Sequence, residues 1–224
     1  MGRALAKEHV RVVGVDDGPF HRGADRALVA LVVCSLPQRV DGVAFTDVSV
    51  DGSDATRRIA AALLRSPHLD GLRAVLLDGA TVGGFNVVDL AALSRSVARP
   101  VVAVTPRRPD FAAIDSALRT YFPGDRGRRR RLLRSRPLFP VRLPGGTVFA
   151  AVAGATRAEA SQLVRRATLE GLRAEPLRLA RLLARGAAGV RDPDRPARSV
   201  RPGPRARPVG RTRRARAFPA APKN

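Results

Sequence analysis

The sequence has one cysteine, Cys34, among 224 residues, so no disulfide can close within the chain and no cysteine-rich zinc site can assemble. Its three histidines, His9, His21 and His68, are widely spaced and leave little for a histidine-based metal centre. Long apolar runs are missing too. Ala27 to Leu36 is the longest, against the ~20 residues that a membrane-spanning helix needs. Lys7, Glu8 and His9 interrupt the N-terminal stretch, which argues against a signal peptide. These absences lead to the expectation of a soluble, cytoplasmic protein that does not enter a membrane. Lysine is nearly absent as well: only Lys7 and Lys223 contribute to the 41 basic residues.

What is present in excess is arginine. With 19 acidic residues the formal net charge is +22. A genome-wide bias toward arginine produces such an excess without functional demand, but it does not clump the charge. Residues 125–136 hold seven arginines and one acid, and residues 187–224 hold ten arginines, one lysine and two acids. The second clump is rich in proline and glycine and poor in large apolar residues, so it cannot offset the entropy of folding and is expected to be a disordered basic tail. Such an arm binds polyanions by counterion release, without sequence specificity of its own. The remainder, residues 1–186, suits one domain, and a hydrophobic content of 45% is enough for a core.

The apolar pattern orders the elements. Arg11 to Val15 reads as a strand ending at Asp16-Asp17-Gly18-Pro19, Arg26 to Ser35 as a second, and Val43 to Val50 as a third after a turn at Leu36 to Gly42. Short connections favour an antiparallel meander. The period then changes. Asp54 to Arg65 reads as a helix, Arg73 to Leu77 as a strand closed by Asp78-Gly79, and Val87 to Ala98 as a helix capped by Asn86. Pro100 to Thr105 is a fifth strand and Asp110 to Tyr121 a third helix. Thr147 to Ala153 reads as an added strand, with helices over Ala158 to Leu169 and Pro176 to Arg185. This is the element order of an α/β, ribonuclease H-like fold: a mixed five-stranded sheet of order 3-2-1-4-5, flanked by helices, with an added C-terminal strand and helices. The alternative is a doubly wound sheet with every strand parallel.

That order carries the chemistry. Asp16 ends the first strand and Asp78 the fourth, so parallel neighbours bring their carboxylates to one sheet edge, where open α/β sheets bind ligands. Carboxylates without nearby histidine or cysteine suit Mg²⁺ or Mn²⁺, ions that activate water and stabilise the leaving oxygen in phosphodiester hydrolysis. Asp54 could reach the same place from the start of the first helix. Asp51-Gly52 and Asp41-Gly42 read equally well as turns, Asp17 as a loop-bonding residue and Asp89 as an acid favoured by a helix dipole. Gly79 and Asn86 could bring backbone or amide close to a phosphate, and Thr105, Arg107 and Arg108 follow the fifth strand at the same edge. Cys34 lies in an apolar run and reads as a small core residue.

Several blocks of residues carry a resemblance. Val12 to Phe20 (VVGVDDGPF), Val50 to Thr56 (VDGSDAT), Leu77 to Asp89 (LDGATVGGFNVVD), Pro100 to Thr105 (PVVAVT) and Glu175 to Ala180 (EPLRLA) together resemble a largely archaeal family, number 99 among domains of unknown function. The likeness spans about residues 10 to 190. That family is similar to endonuclease V, a ribonuclease H-like enzyme that cuts nucleic acid near deaminated bases with a divalent metal. The resemblance implies that Asp16 is the first-strand metal ligand and Asp78 the ligand of the Asp-Gly motif, with Asp54 placed only by position. This chain has Pro106-Arg107-Arg108 where endonuclease V ends its fifth strand in lysine, and Arg181 where endonuclease V has histidine or aspartate. The expected function is a metal-dependent nuclease or nucleic-acid processing protein acting on DNA or RNA with Mg²⁺ or Mn²⁺. The alternative is a non-catalytic nucleic-acid-binding module on the same fold. The two differ in whether Asp16 and Asp78 lie close enough to share an ion.

Overall fold

A computed structural model describes residues 10–191 apart from 22, 38 and 136. The expected tail over 187–224 therefore lies outside the described residues from 192 onward, while 187–191 continue the last helix. Three strands, β1 (Arg11–Asp17), β2 (Arg26–Ser35) and β3 (Arg39–Ser49), form an antiparallel meander. Helix α1 (Ala55–Leu64) leads to β4 (Leu72–Asp78), which pairs parallel with β1. A small hairpin of β5 (Thr81–Val82) and β6 (Asn86–Val87) precedes α2 (Leu90–Val97) and β7 (Val101–Thr105), parallel to β4. Helices α3 (Phe111–Tyr121) and α4 (Arg126–Arg134) follow, then the hairpin β8 (Phe139–Leu143) and β9 (Gly146–Ala153), then α5 (Arg157–Ala167) and α6 (Glu175–Arg191). The sheet order is β3-β2-β1-β4-β7-β9-β8. This is the expected 3-2-1-4-5 arrangement, extended at its far edge by two strands. Among the described residues no helix is long and apolar enough to cross a membrane.

Side-chain alternation divides the sheet between two cores. Val13 and Val15 of β1 and Val75 and Leu77 of β4 face a cluster with Ile59 and Leu63 of α1 and Leu93 of α2. Val12 of β1 and Ala74 and Leu76 of β4 face the opposite cluster with Leu163 and Val164 of α5 and Leu177 of α6. Helix α6 lies close on β1 because the contact surfaces are small. A Cβ on Gly14 would stand 2.3 Å from the Pro176 backbone, and one on Gly18 would stand 2.5 Å from the Ala184 carbonyl.

Several local expectations are corrected. Residues 41–42 are not a turn, because β3 begins at Arg39; Asp41 instead accepts hydrogen bonds from Arg11, Arg39 and Ser35 across the strand edge. Asn86 does not cap the helix that follows. Asp89 does, accepting from the Ala92 amide. The basic run 125–136 contains helix α4, capped by Asp125. Its arginines are partly structural: Arg128 is buried 3.8 Å over the Phe122 ring, Arg129 pairs with Asp115 and Arg134 with Asp89. Cys34 is buried between β2 and α6, and burial pushes its thiol up to about 12.

Candidate active site

The two-residue period that builds the cores also aims the carboxylates. On β1, Val12 faces α6, Gly14 packs against Pro176 at the start of that helix, and Asp16 follows them in the same phase. On β4, Ala74, Leu76 and Asp78 do the same. The pairing of Val15 with Leu77 sets the strand ends side by side. Asp16 and Asp78 therefore meet on the α6 side of the sheet, at the carboxyl ends of two parallel strands. They are close enough for one guanidinium nitrogen to serve both. Arg173 Nη1 donates to Asp78 Oδ2 and stands 3.9 Å from Asp16 Oδ2. Arg181 Nη1 adds contacts of 3.5 Å to Asp78 and 3.9 Å to Asp16.

Asp16 is the strained member of the pair. Only 4% of it is exposed, and its Oδ2 is buried without a hydrogen-bond partner, while its Oδ1 accepts from the Asp17 amide. Burial, reinforced by the like charges of Asp78 and Asp17 and opposed by Arg181, pushes Asp16 up to about 9. Asp17 points the other way, toward the hairpin. Its Oδ2 accepts from the Gly83 amide, and burial outweighs that bond in raising its carboxyl. A buried carboxyl oxygen without a hydrogen bond, beside a second carboxylate, supplies the hard oxygen donors that a divalent cation takes in exchange for a proton.

The other expected site residues divide. Asp54 lies at the α1 corner, where it accepts from the Ser49 amide and hydroxyl and from Asn86 Nδ2, with Arg26 and Arg58 at 3.6 and 3.5 Å. Burial opposes ionisation there, but these bonds and Arg26 outweigh it and hold the carboxyl below the usual range. Among the described residues no group of three or more histidine, cysteine, aspartate or glutamate side chains is arranged to hold an ion, so Asp54 does not join Asp16 and Asp78. Asn86 is fully buried. It accepts from the Ala55 amide and donates to the Ser49 carbonyl and to Asp54, so its amide serves the fold and has no open face for a substrate. Asp51 is a turn residue in the left-handed region, its carboxylate accepting from the Phe85 amide.

Gly79 and Thr105 do come to the site's rim. With Asp78, Phe111, Ile114, Leu132 and Ser135 they line a cavity of about 260 Å³ beside Asp78. Gly79 turns the chain there at φ +85°. Thr105 bonds the Arg107 carbonyl, while the Arg107 and Arg108 side chains stand in solvent. Sequence reasoning did not find Arg173, and it met Arg181 only as a departure from the endonuclease V pattern. No local motif marks either one. The available signal was the need of two buried carboxylates for cationic partners.

Comparison with known proteins shows the family and the fold. The endonuclease dU family model matches residues 8–188. A UPF0215 protein of Methanopyrus kandleri is 40% identical over 182 residues, covering 80% of this chain and 92% of its own. A UPF0215 protein of Thermococcus gammatolerans is 39% identical over the same length. Among solved structures, an Archaeoglobus fulgidus protein of unknown function superposes with a TM-score of 0.71 at 31% identity, covering 78% of this chain and 96% of that one. Endonuclease V of Ciona intestinalis, in complex with DNA containing an inosine followed by a ribo-adenosine, superposes with a TM-score of 0.56 at 15% identity. It covers 83% of this chain and 88% of its own, and shows a shared fold.

Proposed function

This chain belongs to the endonuclease dU family, and from that membership we propose that it hydrolyses a phosphodiester bond in nucleic acid, at a site formed by Asp16 and Asp78. The observation that carries the proposal is the convergence of these two carboxylates at the ends of parallel β1 and β4, with the buried Asp16 Oδ2 lacking a hydrogen bond. Mg²⁺ and Mn²⁺ fit this donor set, since Mg²⁺ is commonly held by one or two carboxylates plus substrate phosphate oxygens. Asp16 and Asp78 would hold such an ion, which would supply a water of lowered pKa and charge neutralisation at the phosphate. The protein's own groups do the rest. The fixed strand ends hold the carboxylates in register, and Gly79 lets the backbone turn without a side chain between the phosphate and the sheet edge.

The cavity beside Asp78 bears on the substrate. Its walls are mainly apolar, with Asp78, Thr81, Thr105 and Ser135 as polar points, which is the character of a pocket for a planar base turned out of the stack. The family's name and the fold shared with endonuclease V both direct attention to deaminated bases, deoxyuridine first. Arg107 and Arg108 stand exposed beyond the cavity's Thr105 and would meet the flanking phosphates.

The test is a cleavage screen of the full chain on end-labelled DNA and RNA, single- and double-stranded, with one deoxyuridine or none, in Mg²⁺ and in Mn²⁺. Cleavage at or beside deoxyuridine, abolished in Asp78→Asn, is the expected result. Binding without cleavage on every substrate would favour the binding-module reading, which the hydrogen bonds of Arg173 and Arg181 to Asp78 support.

A further inference from the structure

Two guanidinium groups converge on the carboxylate pair from outside the sheet. Arg173 comes from the turn just before α6. Arg181 comes from one turn beyond Leu177, the α6 residue that anchors the helix on the sheet. Each reaches the carboxylates through Nη1 alone. Among the described residues, Nε and Nη2 of both make no hydrogen bond. The side chains are 29% and 43% exposed, so their unused donors face solvent at the mouth of the site. Arginine presents its donors as a planar fork that matches phosphate oxygens, and a second guanidinium beside the first doubles the match.

Charge counting gives this arrangement a meaning. Both guanidinium groups donate to Asp78 Oδ2, while each stands 3.9 Å from the buried Asp16 Oδ2. When a divalent ion sits on the carboxylates, it displaces the arginines from them and leaves the site with a net excess of positive charge, which a phosphate can neutralise. Phosphodiester hydrolysis by paired metals relies on two such ions to clamp the attacking and leaving oxygens. Among the described residues no third acid joins these two carboxylates in a group able to hold an ion, and two arginines stand beside the pair.

We propose that Arg173 and Arg181 form a tethered phosphate clamp that replaces a second metal ion: they pair with Asp16 and Asp78 in the free protein and turn to the scissile phosphate of a nucleic acid once one divalent ion occupies the carboxylates. This rests on the hydrolase reading for its substrate, but not for its ion and phosphate binding. Asp16 and Asp78 hold the clamp closed until the ion arrives, so the site takes up phosphate and ion together.

The test uses the full chain in two binding measurements. Mn²⁺ is titrated calorimetrically, and a short fluorescein-labelled phosphorothioate DNA strand is followed by anisotropy with and without Mn²⁺. In R173Q/R181Q the competing cations are gone, so Mn²⁺ should bind about 3- to 10-fold more tightly. DNA affinity in Mn²⁺ should fall about tenfold, because charge-assisted bonds to phosphate are lost. R173K/R181K keeps the charges and guards against a folding defect. Its Mn²⁺ affinity should stay close to that of the wild type, while its DNA affinity in Mn²⁺ falls with the loss of the fork. Unchanged or weaker Mn²⁺ binding in the glutamine variant overturns the clamp, as does unchanged DNA affinity in Mn²⁺ or a wild-type chain that binds no Mn²⁺. A wild type that binds both but cleaves nothing contradicts the hydrolase reading and leaves the clamp standing.

Discussion

Asp16 makes its own contribution to the pH dependence of stability. Asp16 ionises near its ordinary value in the unfolded chain but only at about 9 in the fold, chiefly because of burial. Between those values this residue holds a proton in the folded state that it has lost in the unfolded state, so its contribution to stability is fully present at acid pH and declines as pH rises toward about 9. Asp16→Asn keeps the shape and removes the charge. In EDTA it should melt at the same temperature as the wild type near pH 4 and progressively above it up to about pH 9, where the two curves become parallel. Adding Mn²⁺ at alkaline pH should raise the wild-type melting temperature and leave that of Asp16→Asn almost unmoved. Identical pH profiles for the two proteins would show that the carboxylate is not held against its ionisation. Asp16 and Asp78 were legible in the sequence because a strand has a fixed period and an Asp-Gly step ends it visibly. Arg173 and Arg181 were not, because which cation reaches a buried carboxylate is decided by how α6 lies on the sheet.

At the level of elements, the approach of α6 to β1 places both arginines, and Gly14 permits that approach. Gly14→Ala puts a Cβ against the Pro176 backbone, which cannot swing aside as a flexible side chain could. The expected loss is about 1–3 kcal/mol in urea unfolding, typical of overpacking. A loss within experimental error would mean that α6 does not seat closely on β1. The corner joining β3, α1 and β6 depends in the same way on Asn86. Asn86→Ala leaves the Ala55 amide and the Asp54 carboxylate short of a partner and should cost about 1–3 kcal/mol. Arg107→Ala, in open solvent, should stay within about 0.5 kcal/mol of the wild type. The sheet order could be read from apolar runs and short connections. Helix α4 and strand β8 could not. Six arginines along α4 hide a narrow apolar stripe of which Leu132 is the buried member, and Pro140 interrupts the strand signal of β8, an edge strand where proline is tolerated.

Across the whole molecule, affinity and chemistry divide between different charges. Within α4 and its flanks Arg128, Arg129 and Arg134 are committed to Asp125, Asp115 and Asp89, so that clump offers less free charge than its composition suggests. Residues 192–224 carry ten basic side chains. Deleting them should weaken binding to any nucleic acid and flatten the salt dependence by roughly 0.7–0.9 in log–log slope per lost phosphate contact. Asp78→Asn should leave that slope nearly unchanged. Unaltered affinity and slope after truncation would mean that these residues contribute nothing to binding. The central claim, that Asp16 and Asp78 together hold a divalent ion, is tested most directly by anomalous scattering from crystals grown with Mn²⁺. The expected map has a Mn²⁺ peak within bonding distance of both carboxylates, with the Arg173 guanidinium moved off Asp78. A map with no peak there, or with Mn²⁺ bound only elsewhere while Arg173 still bridges the two aspartates, would contradict it.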